Sequence, residues 1–329
     1  MRAVVCREFA DPRRLKVEDM PSPKLGPGQV RIAVAAAGLN FADTLMVAGK
    51  YQVKPPFPFV PGLEAAGTVR DVAPDVADVK VGDRVMAVLG TGGFAEEAVT
   101  RADTLYRIPD GMDFVTAAGF PVAYGTSELA LHHRGHLKLG ETLLVLGAAG
   151  GVGLTAVEIG KAMGATVIAA ARGADKLAIA KSHGADAVID YATEDLRTRV
   201  KELTDDRGAD VVFDPVGGDA FDAALRATAW EGRILVIGFA AGRIPAPPAN
   251  LLLVKNIATI GVFWGAYNSR NPAVLRSSFA RLFEWWKEGR LKPHVSHRLP
   301  LERVAEAMDL LLTRKSTGKV VLVTGAVSA

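Results

Sequence analysis

The sequence predicts a two-domain α/β chain: a β-rich first domain, then a six-stranded, doubly wound parallel sheet of the dinucleotide-binding kind, then a tail returning to the first domain. Three observations predict it. At 329 residues the chain is longer than one hydrophobic core ordinarily supports. Its first third is a series of short strand patterns divided by Pro/Gly turns. From about Ala123, short apolar runs alternate with helical patterns, which is the signature of parallel strands joined by crossover helices.

Element by element, "QVRIAVAAAG" (29–38) alternates in part, "AAGTVRDV" (65–72) and "GDRVMAV" (82–88) follow, and "FAEEAVT" (94–100) reads as an exposed strand. Turn clusters such as "KLGPGQ" and "VKPPFPFVPG" separate them, and the set suggests a small barrel or partly open β fold. Six buried-type strands are countable between 143 and 265, in "ETLLVLG", "TVIAAA", "AVIDY", "DVVFDPVGG", "RILVIGFA" and "IATIGVFWG". "AVLRSSFARLFEWWKEGRL" is an amphipathic helix, and the chain ends in a strand, "KVVLVT", too far past the sixth to extend the sheet. The expected boundaries are 1–122, 123–265 and 266–329, the last piece rejoining the first.

Composition excludes several function classes. Lys plus Arg number 39 against 36 Asp plus Glu, a balance with neither a nucleic-acid nor a membrane signature. One cysteine, Cys6, forbids an intrachain disulfide framework and a multi-cysteine zinc site. "MRAVVCREF" has no secretory pattern, and the most apolar segment, 143–171, is broken by Glu158, Lys161 and glycines. A cytoplasmic setting fits these features.

"LLVLGAAGGVGLTAVEIG" carries the strongest chemical signal. A strand ends at Leu146, a glycine-rich turn follows, and a helix opens near Gly151, so backbone N–H groups of Gly150, Gly151, Val152 and Gly153 point where a pyrophosphate would sit. The spacing departs from G-x-G-x-x-G, with Ala148 in the first glycine position and Gly147 beside it. The alternative is a tight strand–helix turn that binds nothing. About twenty residues on, NAD sites place an acid against the ribose and NADP sites favour a cation. Here "VIAAARGADK" offers Arg172 and Lys176 and no acid before Asp175, which points to NADPH. Ordinary surface charge at a helix start is the competing explanation.

These motifs together resemble the medium-chain dehydrogenase/reductase superfamily, and within it the zinc-independent quinone oxidoreductase branch. The resemblance spans nearly the whole chain, through "GPGQVRIAVAAAGLNFADTLMVAGKY", "PGLEAAGTV", "VGDRV", "LGAAGGVG", "GADAVIDY", "DPVGG" and "GRILVIGFA". It implies a GroES-like β-rich catalytic domain beside the Rossmann domain. Asn40, Phe41 and Asp43 of "LNFAD" then resemble residues on the nicotinamide and substrate side, and Thr126 of "YGTS" a threonine near the nicotinamide. Lys176 and Tyr191 resemble the side chains that hold the 2′-phosphate, with Arg172 assisting. Phe239 and Val262-Phe263-Trp264 resemble cofactor-lining segments after the fifth and sixth strands. A homodimer through the edge segment "IATIGVF" is also implied.

Zinc-using relatives carry Gly-His-Glu where this chain has Gly62-Leu63-Glu64, and a cysteine where it has Asn40. Leucine cannot ligate zinc, so no tetrahedral site is expected. "LHHRGH" contains His132, His133 and His136, which read better as solvent-facing than as ligands. Glu128 stands where relatives often have an aromatic residue. Glu64, a lone carboxylate in an apolar run, reads as a structural ion pair or hydrogen-bond anchor that needs an arginine or backbone amides nearby.

The activity implied is hydride transfer from NADPH to a quinone or conjugated carbonyl, chemistry that needs orientation in a dry pocket more than strong acid catalysis. Tyr51 is the candidate to hydrogen-bond the acceptor oxygen, or else a loop-packing tyrosine. Asn40 would fix the acceptor ring, and Asp43 would orient Asn40 or a backbone turn. Reduction of an activated C=C bond, in a 2-alkenal or an enoyl thioester, is the nearest alternative. A non-catalytic NADPH-binding structural or RNA-binding protein is the alternative of another class, and the absence of basic-aromatic interleaving counts against RNA.

Overall fold

Period-two burial along Gln29–Leu39 makes this eleven-residue strand the hub of the first β structure, with Val30, Ile32, Val34 and Ala36 turned inward. In this computed structural model, which describes residues 1–325, the described chain divides into two compact units, residues 1–122 with 293–325 and residues 123–292. In the first unit the sheet runs, in order, Val295–Pro300, Lys319–Val323, Gln29–Leu39, Glu64–Val72, Arg84–Val88 and Leu105–Arg107. Glu97–Arg101 also pairs with Gln29–Leu39. All these pairings are antiparallel except that of the first two strands. The last strand therefore returns, as expected, and pairs Val320–Val323 against Ala36–Leu39. A helix missing from the sequence reading, Phe41–Val47, starts where Gln29–Leu39 ends, with Asn40 as its N-cap.

The second unit is a parallel sheet of six strands, in the sequence order 3-2-1-4-5-6: Ala187–Asp190, Thr166–Ala171, Thr142–Leu146, Ala209–Asp214, Thr228–Val236 and Ala258–Gly261. All five residues of Thr142–Leu146 are buried, as a central parallel strand covered on both faces requires. Crossover helices include Gly151–Ala162, Ala174–Ser182 and Gly218–Ala227. In this strand order the crevice lies at the carboxyl ends of the first and fourth strands, where the direction of winding reverses.

One boundary is corrected. The helix Pro272–Lys287, expected in the returning tail, belongs to the second unit, and the return begins at Pro293. The helix buries Leu275, Phe279 and Leu282, and it carries an ion pair that sequence reading missed: Arg281 Nε and an η nitrogen lie 2.8 and 2.6 Å from Oε1 of the fully buried Glu128. Glu128 is thereby occupied in holding that helix. Among the described residues no helix is long and apolar enough to cross a membrane.

Candidate active site

In the second unit the glycine turn forms as the sequence suggests, with one refinement. Gly147 adopts the left-handed conformation, φ +60°, that the turn needs, so it does the work of the first motif glycine and Ala148 need not. Gly150 is the N-cap of Gly151–Ala162 and no side chain caps that helix, which leaves the first-turn N–H groups available to an anion. A Cβ on Gly153 would lie 2.2 Å from the Gly147 carbonyl oxygen, so the helix and the turn touch through bare backbone. This cradle fits a pyrophosphate.

At the end of the second strand Arg172 is exposed, with its guanidinium 5.5 Å from the centroid of the half-buried Tyr191 ring. Lys176 lies in the first turn of Ala174–Ser182. The nearest strand-end acid, Asp190, is spent on backbone: it accepts from the N–H groups of Gly173 and Ala192. Arg172 and the Tyr191 ring thus meet at the carboxyl end of the second strand, with Lys176 in the helix turn that follows, the place where sheets of this order expose a ribose-binding edge.

Beyond the fourth strand Asp214, which the sequence reading passed over, accepts from Val216 N–H at 2.8 Å and Gly217 N–H at 2.9 Å. Its signal is an Asp opening "DPVGG", the pattern of a side chain closing its own turn. Phe239 packs on this turn: a Cβ on Gly217 would meet its ring at 3.3 Å. Trp264 is buried and covers Gly125, whose Cβ would lie 2.7 Å from the indole, beside the buried Thr126. Val262 continues the sheet by donating to Val236 O, and Phe263 is 48% exposed. His132 and His136 are exposed, and His133 meets the Tyr267 ring edge-on at 5.7 Å. Among the described residues no three metal-ligating side chains converge.

The first unit gathers Asn40, Asp43 and Glu64 around a fourth residue, Lys319. Glu64 is fully buried: Oε1 accepts from Asn40 Nδ2 at 2.9 Å and from Lys319 Nζ at 2.8 Å, and Oε2 from Val122 N–H at 2.8 Å. Three donors occupy its two oxygens, as a buried carboxylate requires. The expected partner was an arginine or backbone amides; a lysine from the last strand and an asparagine join the amide. Nothing local marks Lys319, which lies 255 residues from Glu64 in the chain.

Asp43 is also fully buried and accepts from Asn40 N–H at 2.8 Å, so it orients the start of Phe41–Val47. Its other oxygen, Oδ1, has no hydrogen-bond partner among the described residues. Burial pushes its pKa up to about 7, with Glu64 adding to the rise while Asn40 N–H and Lys319 oppose it. Tyr51 is half-buried on the same core, and burial, then Asp43, push its hydroxyl up.

A stability prediction follows from Asp43. Between about pH 4 and about pH 7 the folded state keeps a proton that the unfolded chain has released, so stability falls as pH rises through that window. Asp43→Asn is expected to abolish this slope, gaining on the parent protein between about pH 5 and about pH 8. Urea unfolding followed by far-ultraviolet circular dichroism checks it; a difference independent of pH would count against a protonated Asp43.

Known proteins agree with this architecture. Residues 26–110 match the alcohol dehydrogenase GroES-like domain, and residues 151–280 the zinc-binding dehydrogenase domain. A quinone oxidoreductase-like protein 2 homolog of Nematostella vectensis is 46% identical over 325 residues, covering 98% of this chain and 88% of its own. The chain belongs to the medium-chain dehydrogenase/reductase superfamily, in its quinone oxidoreductase branch. Solved relatives include the Thermus thermophilus quinone oxidoreductase, described with its NADPH complex, at 34% identity and TM-score 0.85, with 98% of this chain and 100% of that one covered. The Escherichia coli quinone oxidoreductase complexed with NADPH gives 28% identity and TM-score 0.91 over 98% and 100% of the two chains.

Proposed function

We propose that this oxidoreductase reduces quinones with NADPH and without zinc. The observation that carries the zinc-free part is the fate of two positions. Leu63 stands where zinc-using relatives have a ligand histidine, and the Asn40 side chain, in the cysteine position, is committed to Glu64 and Lys319. An acceptor reduced here must therefore be electron-poor by itself. Quinones and conjugated carbonyls are, and the quinone oxidoreductases among the relatives support the former.

NADPH is the cofactor, supplying the hydride from its nicotinamide when bound. Gly150, Gly151, Val152 and Gly153 would take its pyrophosphate, and Arg172, Lys176 and Tyr191 its 2′-phosphate. Thr126, Phe239, Val262, Phe263 and Trp264 would flank the nicotinamide half. Asn40 and Tyr51 would orient the acceptor oxygen, with Asp43 fixing Asn40 from behind. We extend the reading to a cytoplasmic homodimer. The sixth strand, Ala258–Gly261, is an exposed sheet edge that needs covering, and Leu253 nearby in sequence is 75% exposed. Sedimentation velocity reads that state.

The test is NADPH oxidation with 1,4-benzoquinone and 9,10-phenanthrenequinone beside 2-alkenals and crotonyl-CoA. Quinone turnover no faster than without enzyme, together with clear enal turnover, would transfer the protein to the C=C reductases. For the cofactor, the double variant Arg172→Ala/Lys176→Ala is expected to weaken NADPH by about tenfold or more and leave NADH nearly unchanged. Fluorescence titration measures both. Equal affinities for the two nucleotides, untouched by the substitutions, would remove the phosphate-reading role.

A further inference from the structure

Asn40 is held from two sides by groups that admit a single orientation of its amide. An ammonium can only donate, so the atom 2.7 Å from Lys319 Nζ must be Oδ1. A carboxylate can only accept, so the atom 2.9 Å from Glu64 Oε1 must be Nδ2. Turning the amide over would set NH₂ against NH₃⁺ and carbonyl against carboxylate. Asparagine orientation is ordinarily a matter of assignment; here the neighbours dictate it.

Lys319 is itself fully employed. Its three donors meet Leu39 O at 2.6 Å, Asn40 Oδ1 at 2.7 Å and Glu64 Oε1 at 2.8 Å, and the residue is 7% exposed. The cation pulls electron density toward Oδ1. That strengthens the Nδ2–H groups as donors, against the Glu64 carboxylate, which accepts from one of them and pushes density back. Asn40, 9% exposed, keeps the other N–H uncommitted among the described residues.

We propose that Lys319 is a positioning residue: it fixes and polarises the Asn40 amide so that the free N–H is offered to the carbonyl oxygen of the acceptor. The inference rests on the functional reading above, which places Asn40 on the acceptor side. Reduction adds a hydride to the quinone, both electrons coming from the reduced nicotinamide. It leaves a hydroquinone monoanion, and the one proton that completes the hydroquinone comes from water. Negative charge grows on oxygen during that step, so a preset donor helps the transition state more than the ground state. The loss expected on removing Lys319 is therefore in kcat.

A double-mutant cycle on Lys319→Met and Asn40→Ala tests this, with 1,4-benzoquinone as acceptor. Lys319→Met should lower kcat by about tenfold or more, leave the NADPH Kd within about twofold, and cost almost nothing further when Asn40 is already alanine. Losses that multiply in the double variant would overturn the proposal, since a purely structural lysine would act independently of Asn40. Lys319→Arg guards against a folding failure: it keeps the positive charge beside Glu64 but not the point geometry, and should give an intermediate kcat. The Asn40 side-chain amide signals, identified in ¹H–¹⁵N spectra by their absence from Asn40→Ala, give a readout that needs no turnover. They should shift in Lys319→Arg; unmoved signals would overturn the positioning role. Absence of quinone turnover by the parent protein would instead strike the functional reading, leaving the amide signals to decide this one.

Discussion

Glu64→Leu is expected to destabilise the first unit by about 3–5 kcal/mol, because it leaves the Lys319 ammonium buried with no anion beside it. The leucine also strands the N–H of Val122 and the Nδ2 of Asn40, each of which loses an acceptor. Glu64→Gln should cost less, about 1–2 kcal/mol, since the amide oxygen can still take one of the three donors. All four tryptophans lie in the second unit, so their fluorescence is blind to this change. Hydrogen exchange in Gln29–Leu39 and Lys319–Val323 is the suitable probe, because the ion pair ties Lys319 to the end of the former. A Glu64→Leu protein whose protection in both strands falls by less than about 1 kcal/mol would show the cluster to be incidental to the fold. Full stability of Glu64→Gln with turnover abolished would return Glu64 to the reacting groups.

That cluster also marks where sequence reading stops. The six parallel strands were legible because each is a short apolar run bounded by glycine or a charge, and shortness and flanking punctuation, rather than period, separate them from the helices between. The cradle was legible because backbone chemistry requires glycine there, although Gly147 rather than position 148 supplies the left-handed turn. Leu63 in place of histidine carries the expectation that Glu64 serves no metal. The identity of its partner was not readable: Lys319 opens an apolar strand as many surface lysines do, and only antiparallel pairing with Gln29–Leu39 carries it to Asn40. The helix Pro272–Lys287 was misassigned for the same reason: its apolar face of Leu275, Phe279 and Leu282 is legible, but not which unit buries it, and its ion-pair partner Glu128 lies far back in the chain. Local periodicity specifies elements; pairs far apart in sequence specify which element holds which.

Gly153→Val should cut NADPH affinity by about a hundredfold or more, the largest single effect expected on cofactor binding. A Cβ at this position would sit 2.2 Å from the Gly147 carbonyl oxygen and 2.8 Å from the carbonyl carbon, both backbone, so no rotamer change relieves the contact. The start of Gly151–Ala162 would have to draw back from the turn, and with it the N–H groups proposed to take the pyrophosphate. Gly150→Ala is the control. Its Cβ would stand 3.3 Å from the same oxygen, at an ordinary extended φ of −78°, so a small shift accommodates it and a loss of only a few fold is expected. Both glycines belong to one motif, yet close packing ranks them differently from motif position. Titration of NADPH fluorescence against the parent protein, Gly150→Ala and Gly153→Val separates the two accounts. Equal losses at the two positions would mean that the amides, rather than the helix–turn contact, set the affinity. A folded Gly153→Val protein with unchanged affinity would mean that the pyrophosphate does not sit on this helix at all.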